Sequence, residues 1–340
     1  MGQVIRPVSI NIFADNAYYT KPALSDSHSK FINLGVPIYK AHKTGLGSSA
    51  ALVTALSAAL LIHYLPHKID LSSVEGLSYV HNLAQAVHCA AQGKIGSGFD
   101  VASAVYGSCI YRRFSLGILI SLGEDNTPHF ATRLKDVVEN SFSSAKWDMR
   151  VDTRRAILPA GLRLIMCDVD CGSQTPGMVK RVLAWRHEKP EEANKLWAKL
   201  QAKNDVLSEE MLRLQNSKDK DYDRLRSTIL EIRSLIRQMS QLSNVPIEPP
   251  EQSRLLDACC SVEGVIGGVV PGAGGFDAIV LLIEDRQSVI DHLEELITKF
   301  GDDSQVTSKS DTSKITMLRV REDPSGLRQE NSQLLKNYLA

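Results

Sequence analysis

The sequence predicts a mixed α+β protein, and three observations carry that prediction. Alanine- and leucine-rich segments with helical spacing recur along the chain. Short β-branched runs stand between them. Strands and helices are grouped rather than strictly alternating, which separates α+β from a parallel α/β architecture.

The elements follow in order. Gly2 to Ile12 reads as a strand, with Val4, Val8, Ile10 and Phe13 apolar and no preceding element to pair with, so an incomplete N-terminus is expected. Asp15 to Phe31 is polar, contains Pro22, and reads as a loop. Ser48 to Tyr64 predicts a buried helix, with Ser48 or Ser49 placed to cap its start and Pro66 marking its end. Leu71 to Ala91 predicts a second: Ser72 and Glu75 have capping-box spacing, Leu77, Val80, Leu83, Ala84 and Val87 form an apolar face, and Gly93 suits the C-terminus. A short helix is expected to start around Asp100. Ser108 to Leu122 alternates and is followed by a polar linker, which suggests antiparallel strands.

Leu162 to Val169 predicts a strand opening the second half. A long helical region covers Pro176 to Leu242, with Pro190 starting a new helix, a break at Asn216 to Asp221, and charges on solvated faces. Glu251 to Cys260 reads as a helix, and Gly264 to Val270 and Phe276 to Ile283 as strands around a glycine loop. Gln287 to Phe300 reads as a helix, Ile315 to Val320 as a strand, and the last residues as frayed. No internal repeat is visible.

Composition narrows the function. The 340 residues, 43% of them hydrophobic, suffice for a substantial core in one large domain or two smaller ones. Lys and Arg number 39 and Asp and Glu number 39, so no bulk charge recommends nucleic acid or an anionic membrane as partner, and any anion must be held locally. Cys89, Cys109, Cys167, Cys171, Cys259 and Cys260 show neither a CxxC pair nor a disulfide framework, and no secretory signal is seen, so a reducing cytosol is expected. The apolar runs near Ala50 to Ile62 and Val262 to Val270 are too short or too glycine-broken to span a bilayer. The sequence leaves the oligomeric state open.

Three segments carry chemistry. In Lys43-Thr44-Gly45-Leu46-Gly47-Ser48-Ser49-Ala50-Ala51, glycines let backbone approach a phosphate while free amides and the helix dipole aim positive charge at it. The Gly-Lys-Ser/Thr ending of a Walker A loop is absent, as is a dinucleotide GxGxxG after a strand. An ordinary capped helix after a glycine turn is the other reading. In Gln92-Gly93-Lys94-Ile95-Gly96-Ser97-Gly98-Phe99-Asp100, the glycines flanking Ser97 free the backbone to curve around a ligand. Asp100 then either receives a proton, with Lys94 holding it ionised and neutralising phosphate charge, or merely caps a helix. Gly267 to Asp277, with Pro271-Gly272-Ala273-Gly274-Gly275 at its centre, holds more glycine than a hairpin needs. It suggests close approach of backbone to a ligand or to another loop, with Asp277 a turn residue.

In this order the segments resemble the GHMP kinase superfamily: Gly45 to Ala51 is similar to its second, ATP-binding motif and Pro271 to Gly275 to its third. Lys43-Thr44, Gly93 to Asp100 and Gly275-Phe276-Asp277 are similar to eukaryotic phosphomevalonate kinases, and mevalonate kinases fit less well. Ser173-Gln174-Thr175-Pro176-Gly177-Met178-Val179 resembles the family's Ser-Thr-Pro-x-Met-Val segment with one insertion, and Trp147-Asp148 matches a family pair.

The resemblance implies a GHMP kinase fold, a ribosomal protein S5 domain 2-like part followed by a ferredoxin-like part. It implies an incomplete N-terminal ATP-binding domain over 1–155, without the family's Pro-Gly-Lys strand and loop, and a C-terminal domain over 156–340. The implied activity is ATP-dependent phosphorylation of 5-phosphomevalonate to 5-diphosphomevalonate with Mg2+, in the mevalonate route to isoprenoids and sterols, in the cytoplasm or in part the peroxisome. It assigns Lys43, Gly45, Leu46, Gly47, Ser48, Ser49, Ala50 and Ala51 to ATP, Ser48 to magnesium, and Lys94 and Asp100 to catalysis. Ser97, Ser173, Thr175, Lys180, Gly272, Gly274 and Gly275 are assigned to the substrate. Because a phosphomonoester is already largely ionised, Asp100 is expected to orient or stabilise it rather than deprotonate it. Mevalonate kinase has a glutamate magnesium ligand about three helical turns before that aspartate; here His88 and Cys89 occupy the neighbourhood, and His88 reads as a packing residue. A GHMP-fold protein that binds nucleotide without turnover is the second reading.

Overall fold

The computed structural model describes residues 8–19, 31, 35–37, 40–41, 43–65, 69–140, 146–169, 175–218, 220–303, 315–318, 320–331 and 333. Its first half is built on three helices, α1 (Ser48–Tyr64), α2 (Val74–Gln92) and α3 (Phe99–Tyr106), packed on one another. Their meeting point is lined by Ala50, Ala84, Val101 and Val105, all at 0% exposure, so small side chains there let the backbones close up. Ala58, Leu61, Ile69 and Val80 extend this core. Beneath α2, the short helices α4 (Gly117–Ile120) and α5 (Phe130–Val138) bury Ile118, Leu119 and Val137 against Ala86, Cys89 and Phe114. A two-stranded antiparallel ribbon joins β1 (Ile110–Arg112) to β2 (Arg150–Asp152).

The second half is a four-stranded antiparallel sheet of β3 (Leu162–Val169), β4 (Val265–Val269), β5 (Ala278–Glu284) and β6 (Ile315–Leu318), in the order β4-β5-β3-β6. Helices α6 (Thr175–Glu188), α7 (Pro190–Gln215), α8 (Asp223–Ser243) and α9 (Pro250–Cys260) separate β3 from the β4-β5 hairpin, and α10 (Gln287–Asp303) leads back to β6 beside β3. That is the ferredoxin-like order. Side chains alternate across the sheet. Ile279, Leu281 and Ile283 pack with Leu256, Cys259 and Leu293 on one face, while Leu282 and Ile266 pack with Leu214, Leu225 and Ile229 on the other. Burial pushes the Cys259 thiol up to about 12. Among the described residues no helix is long and apolar enough to cross a membrane.

Several expectations change. Residues 8–12 pair with no strand among the described residues and leave Val8, Ile10 and Ile12 exposed; residues 1–7 lie outside the described set. Tyr19 bridges Lys43 at the edge of the expected loop, around a single 3-10 turn at Asn16–Tyr18. Most of Ser108 to Leu122 is not strand: Phe114, Ile118, Leu119 and Leu122 have helical spacing and share one apolar cluster. The expected polar linker contains α5, whose stripe of Phe130, Leu134, Val137 and Val138 is masked by the polar residues between them.

Capping differs as well. Gly47, not Ser48 or Ser49, is the N-cap of α1, and Ser73 caps α2 by accepting from the Gly76 amide at 2.9 Å, in place of the Ser72 and Glu75 box. Residues 320–331 dock on the first half instead of fraying. Asp323 O accepts from the Ser108 amide at 2.8 Å, and the Leu327 amide donates to Val105 O at 3.0 Å.

Candidate active site

Two helix starts meet at the site. Gly47 precedes α1 with φ 76° and Gly98 precedes α3 with φ 84°, conformations that favour glycine, and no side chain caps either end. The first-turn amides of α1, at Ser48, Ser49 and Ala50, therefore have no intrahelical acceptor and face the loop, where the helix dipole adds positive potential. A β-carbon on Gly47 would lie 3.8 Å from the Asp100 β-carbon, so the phosphate-type loop and the carboxylate are neighbours. Thr44 anchors the loop from behind, its hydroxyl donating to Ala17 O at 2.6 Å. A β-carbon on Gly45 would lie 3.9 Å from Met166 Cε, which places the loop against β3 of the second half.

Asp100 stands in the first turn of α3. Its Oδ1 accepts from the Val101 amide at 3.0 Å, and its Oδ2 lies 3.8 Å from His88 Nδ1. His88 is only 4% exposed; its Nε2 lies 2.9 Å from Gln92 Nε2 and 3.3 Å from Ser49 Oγ. The partner expected beside Asp100 was Lys94, but Lys94 is exposed and makes no ion pair among the described residues; the group that faces Asp100 is the His88 ring.

The loop between α2 and α3 is held from one side. The Arg113 guanidinium donates to Ile95 O at 3.0 Å and to Gly96 O at 2.6 Å, and Tyr111 Oη donates to Ser97 O at 3.4 Å. Burial raises the Tyr111 phenol to about 12. Ser97 itself is exposed at the rim. Trp147-Asp148 serves this support: Trp147 Nε1 donates to Val137 O at 3.0 Å, and Asp148 accepts from the Ser115 amide at 2.7 Å and from its hydroxyl, bonds that hold the Asp148 carboxyl below its usual range.

Of the residues assigned from the sequence, Gly45 to Ala51 and Asp100 come together. Gly274 and Gly275 lean elsewhere, on the α8–α9 connection. The Gly275 amide donates to Ile247 O at 2.8 Å, and a β-carbon on Gly274 would fall 2.3 Å from the same oxygen. The glycine there serves close packing of two backbones. Ile247 also packs with Met178, so α6, which carries the exposed Lys180, shares this neighbourhood with Gly272 to Gly275. Ser173 lies outside the described residues, as does the side chain of Thr175. Sequence reasoning missed Gln92, Tyr111 and Arg113, and treated His88 as packing. The available signal was the spacing of four between His88 and Gln92, one helical turn, just before the glycines.

The donor set suits a nucleotide phosphate with a hard cation. The described residues hold no group of three or more His, Cys, Asp or Glu able to bind a metal alone. The serine hydroxyls at the α1 start and the Asp100 carboxylate are oxygen donors of the kind magnesium takes together with phosphate oxygens and water.

The GHMP kinases N terminal domain family matches residues 19–108, and the GHMP kinases C terminal family matches residues 215–303. The chain is 48% identical to phosphomevalonate kinase of Aspergillus fumigatus, covering 97% of this chain and 69% of that protein. It is 45% identical to phosphomevalonate kinase of Gibberella zeae, covering 96% and 71%. Among solved structures, Streptococcus pneumoniae phosphomevalonate kinase in complex with phosphomevalonate and AMPPNP superposes with TM-score 0.52 at 19% identity, over 76% of this chain and 67% of that one. Mevalonate kinase of L. major in complex with R-mevalonate gives TM-score 0.51 at 17% identity, over 80% and 64%. These two structures speak to the fold alone. The long matches at 45% and 48% identity go further: this chain belongs to the phosphomevalonate kinase family of the GHMP kinases.

Proposed function

We propose that the chain transfers the γ-phosphoryl group of ATP to 5-phosphomevalonate, giving 5-diphosphomevalonate and ADP, with magnesium. The observation that carries the reading is the apposition of Gly47 to Asp100, which puts an uncapped helix start directly beside a carboxylate. Gly45 to Ala51 hold the nucleotide phosphates through backbone amides, with Lys43 beside them. Ser48 is the magnesium ligand of this reading, and the ion, when bound, neutralises phosphate charge and aligns the transferring group.

In such a transfer most of the catalysis is positioning and charge stabilisation, since the transition state spreads charge over the phosphoryl oxygens. Lys94, exposed at the loop and without an ion pair among the described residues, is the cation of this reading for that charge. Asp100 orients the acceptor, whose phosphate oxygen is the nucleophile and needs little deprotonation. Ser97, Ser173, Thr175, Lys180 and Gly272 to Gly275 form the acceptor side. The same reading divides the chain near residue 155. It places the protein in the cytosol, in keeping with five free cysteines among the described residues; the Arabidopsis thaliana relative named as peroxisomal makes the peroxisome the alternative that fractionation decides.

The test is ADP release by the purified chain with ATP, magnesium and 5-phosphomevalonate, with mevalonate as control. Turnover on phosphomevalonate alone supports the reading. A cooperatively folded chain that binds ATP without turning over refutes it in favour of a nucleotide-binding protein of this fold.

A further inference from the structure

His88 is a polar ring in a buried place, and three elements converge on it: Ser49 from the first turn of α1, Asp100 from the first turn of α3, and Gln92 from its own helix. The surroundings decide the tautomer. A carboxylate only accepts, so the ring hydrogen belongs on Nδ1, facing Asp100 Oδ2 at 3.8 Å. That separation is an electrostatic contact rather than a hydrogen bond, but it selects the proton's place. The Nε2 lone pair is then turned to two donors, the Gln92 amide at 2.9 Å and the Ser49 hydroxyl at 3.3 Å. Any buried ring nitrogen needs a hydrogen-bond partner; what sets His88 apart is that its neighbours, Ser49 and Asp100, stand in the first turns of two other helices. The apposition of Gly47 and Asp100 is the backbone side of the same junction.

We propose that His88 is a positioning residue for phosphoryl transfer: by holding Ser49 on one ring nitrogen and facing Asp100 with the other, it fixes the distance between the nucleotide phosphates and the acceptor. The inference rests on the proposed kinase reading. It assigns His88 no contact with either substrate. Misplacing reacting groups by about an ångström costs on the order of a hundredfold in rate, so a residue that only sets spacing has a measurable share of turnover.

The experiment compares His88→Leu, which keeps the bulk without an acceptor, with His88→Gln, which restores one, with Ser49→Ala, and with the double variant Ser49→Ala/His88→Leu. For each, kcat, KM for ATP and for 5-phosphomevalonate, calorimetric titration with magnesium and AMPPNP, and a melting curve are recorded. The expected result is a cooperatively melting His88→Leu whose kcat falls about tenfold or more while KM for 5-phosphomevalonate moves less than about threefold. AMPPNP binding weakens by about threefold, His88→Gln recovers most of both losses, and the double variant loses no more than the worse single one. Wild-type kcat and AMPPNP affinity in His88→Leu, or independent losses in the double variant, overturn the proposal and leave His88 as packing. Should His88→Leu fail to fold, His88→Met takes its place in the same comparison. A wild-type chain that binds AMPPNP but does not use 5-phosphomevalonate refutes the substrate reading, and the AMPPNP titrations alone then decide on His88.

Discussion

The middle of α2 and its C-terminal part carry the same side chain on the same helical stripe to opposite effect. His81 and His88 are seven residues apart, about two turns, so both face inward. His81 is fully buried, its Nδ1 3.2 Å from Asn82 Oδ1 and its ring 5.6 Å from Tyr106 and 5.4 Å from Trp147, and burial lowers its pKa to about 4. His88 is almost as buried but meets a hydroxyl, an amide and a carboxylate. The ring is the same in both places; what differs is that α1 and α3 begin beside His88, whereas His81 meets the aromatic rings of Tyr106, where α3 ends, and Trp147. A buried histidine becomes part of a site when helix termini, with their free amides and small flexible loops, converge on it.

The largest effect that sharpens this contrast lies at the site end. Asp100→Asn is expected to lower turnover about a thousandfold, equivalent to about 4 kcal/mol, with nucleotide affinity within about threefold. Steady-state kinetics and nucleotide titration check it, and equal loss of both in a folded variant removes Asp100 from a role specific to transfer.

At His81 the effect is on stability. Because the folded pKa of His81 is lowered from 6.5 to about 4, the unfolded chain binds the extra proton in that window. Stability from neutral His81 is complete above pH 6.5 and lost as pH falls toward 4, by about 3 kcal/mol for this group. Urea midpoints at a series of pH values, compared with those of His81→Leu, should show the variant with the shallower acid slope; parallel slopes would mean that His81 is solvated and the contrast false.

Gly47→Ala is the next step down. Forcing alanine to φ near 76° costs about 1–2 kcal/mol and tilts the first turn of α1, so KM for ATP should rise about tenfold with little change in kcat at saturation. Smallest is Arg113→Ala, which frees the Ile95 and Gly96 carbonyls on an exposed surface. A melt should move by no more than about 1 kcal/mol, and KM for 5-phosphomevalonate by about threefold. A large loss of kcat there would shift weight from the His88 side of the loop to the Arg113 side.

Much of the architecture was legible from periodicity. The span Ser48–Tyr64, the strand Leu162–Val169 and the helix restart at Pro190 stand where apolar spacing and proline placed them. Spacing failed where a short element borrows its stability from distant partners. Phe114 to Leu122 imitates alternation but packs under α2, α5 carries its apolar stripe within a segment that reads as a polar linker, and residues 323–327 are held by bonds to Ser108 and Val105 that no local pattern announces.

Residue types and their order were enough for the chemistry on offer: glycines that permit left-handed backbone at two helix starts, hydroxyls after one and a carboxylate after the other, and the family to which the chain belongs. Which of these groups meet depends on the packed fold. Gly47 against Asp100, and His88 between Ser49 and Asp100, are contacts between helices 39 or more residues apart for Ser49 and His88, and they depend on how α1, α2 and α3 close around Ala50, Ala84 and Val101. Local preference sets the conformation of each residue, but the distance between two helix starts is set by the packing of the helices behind them.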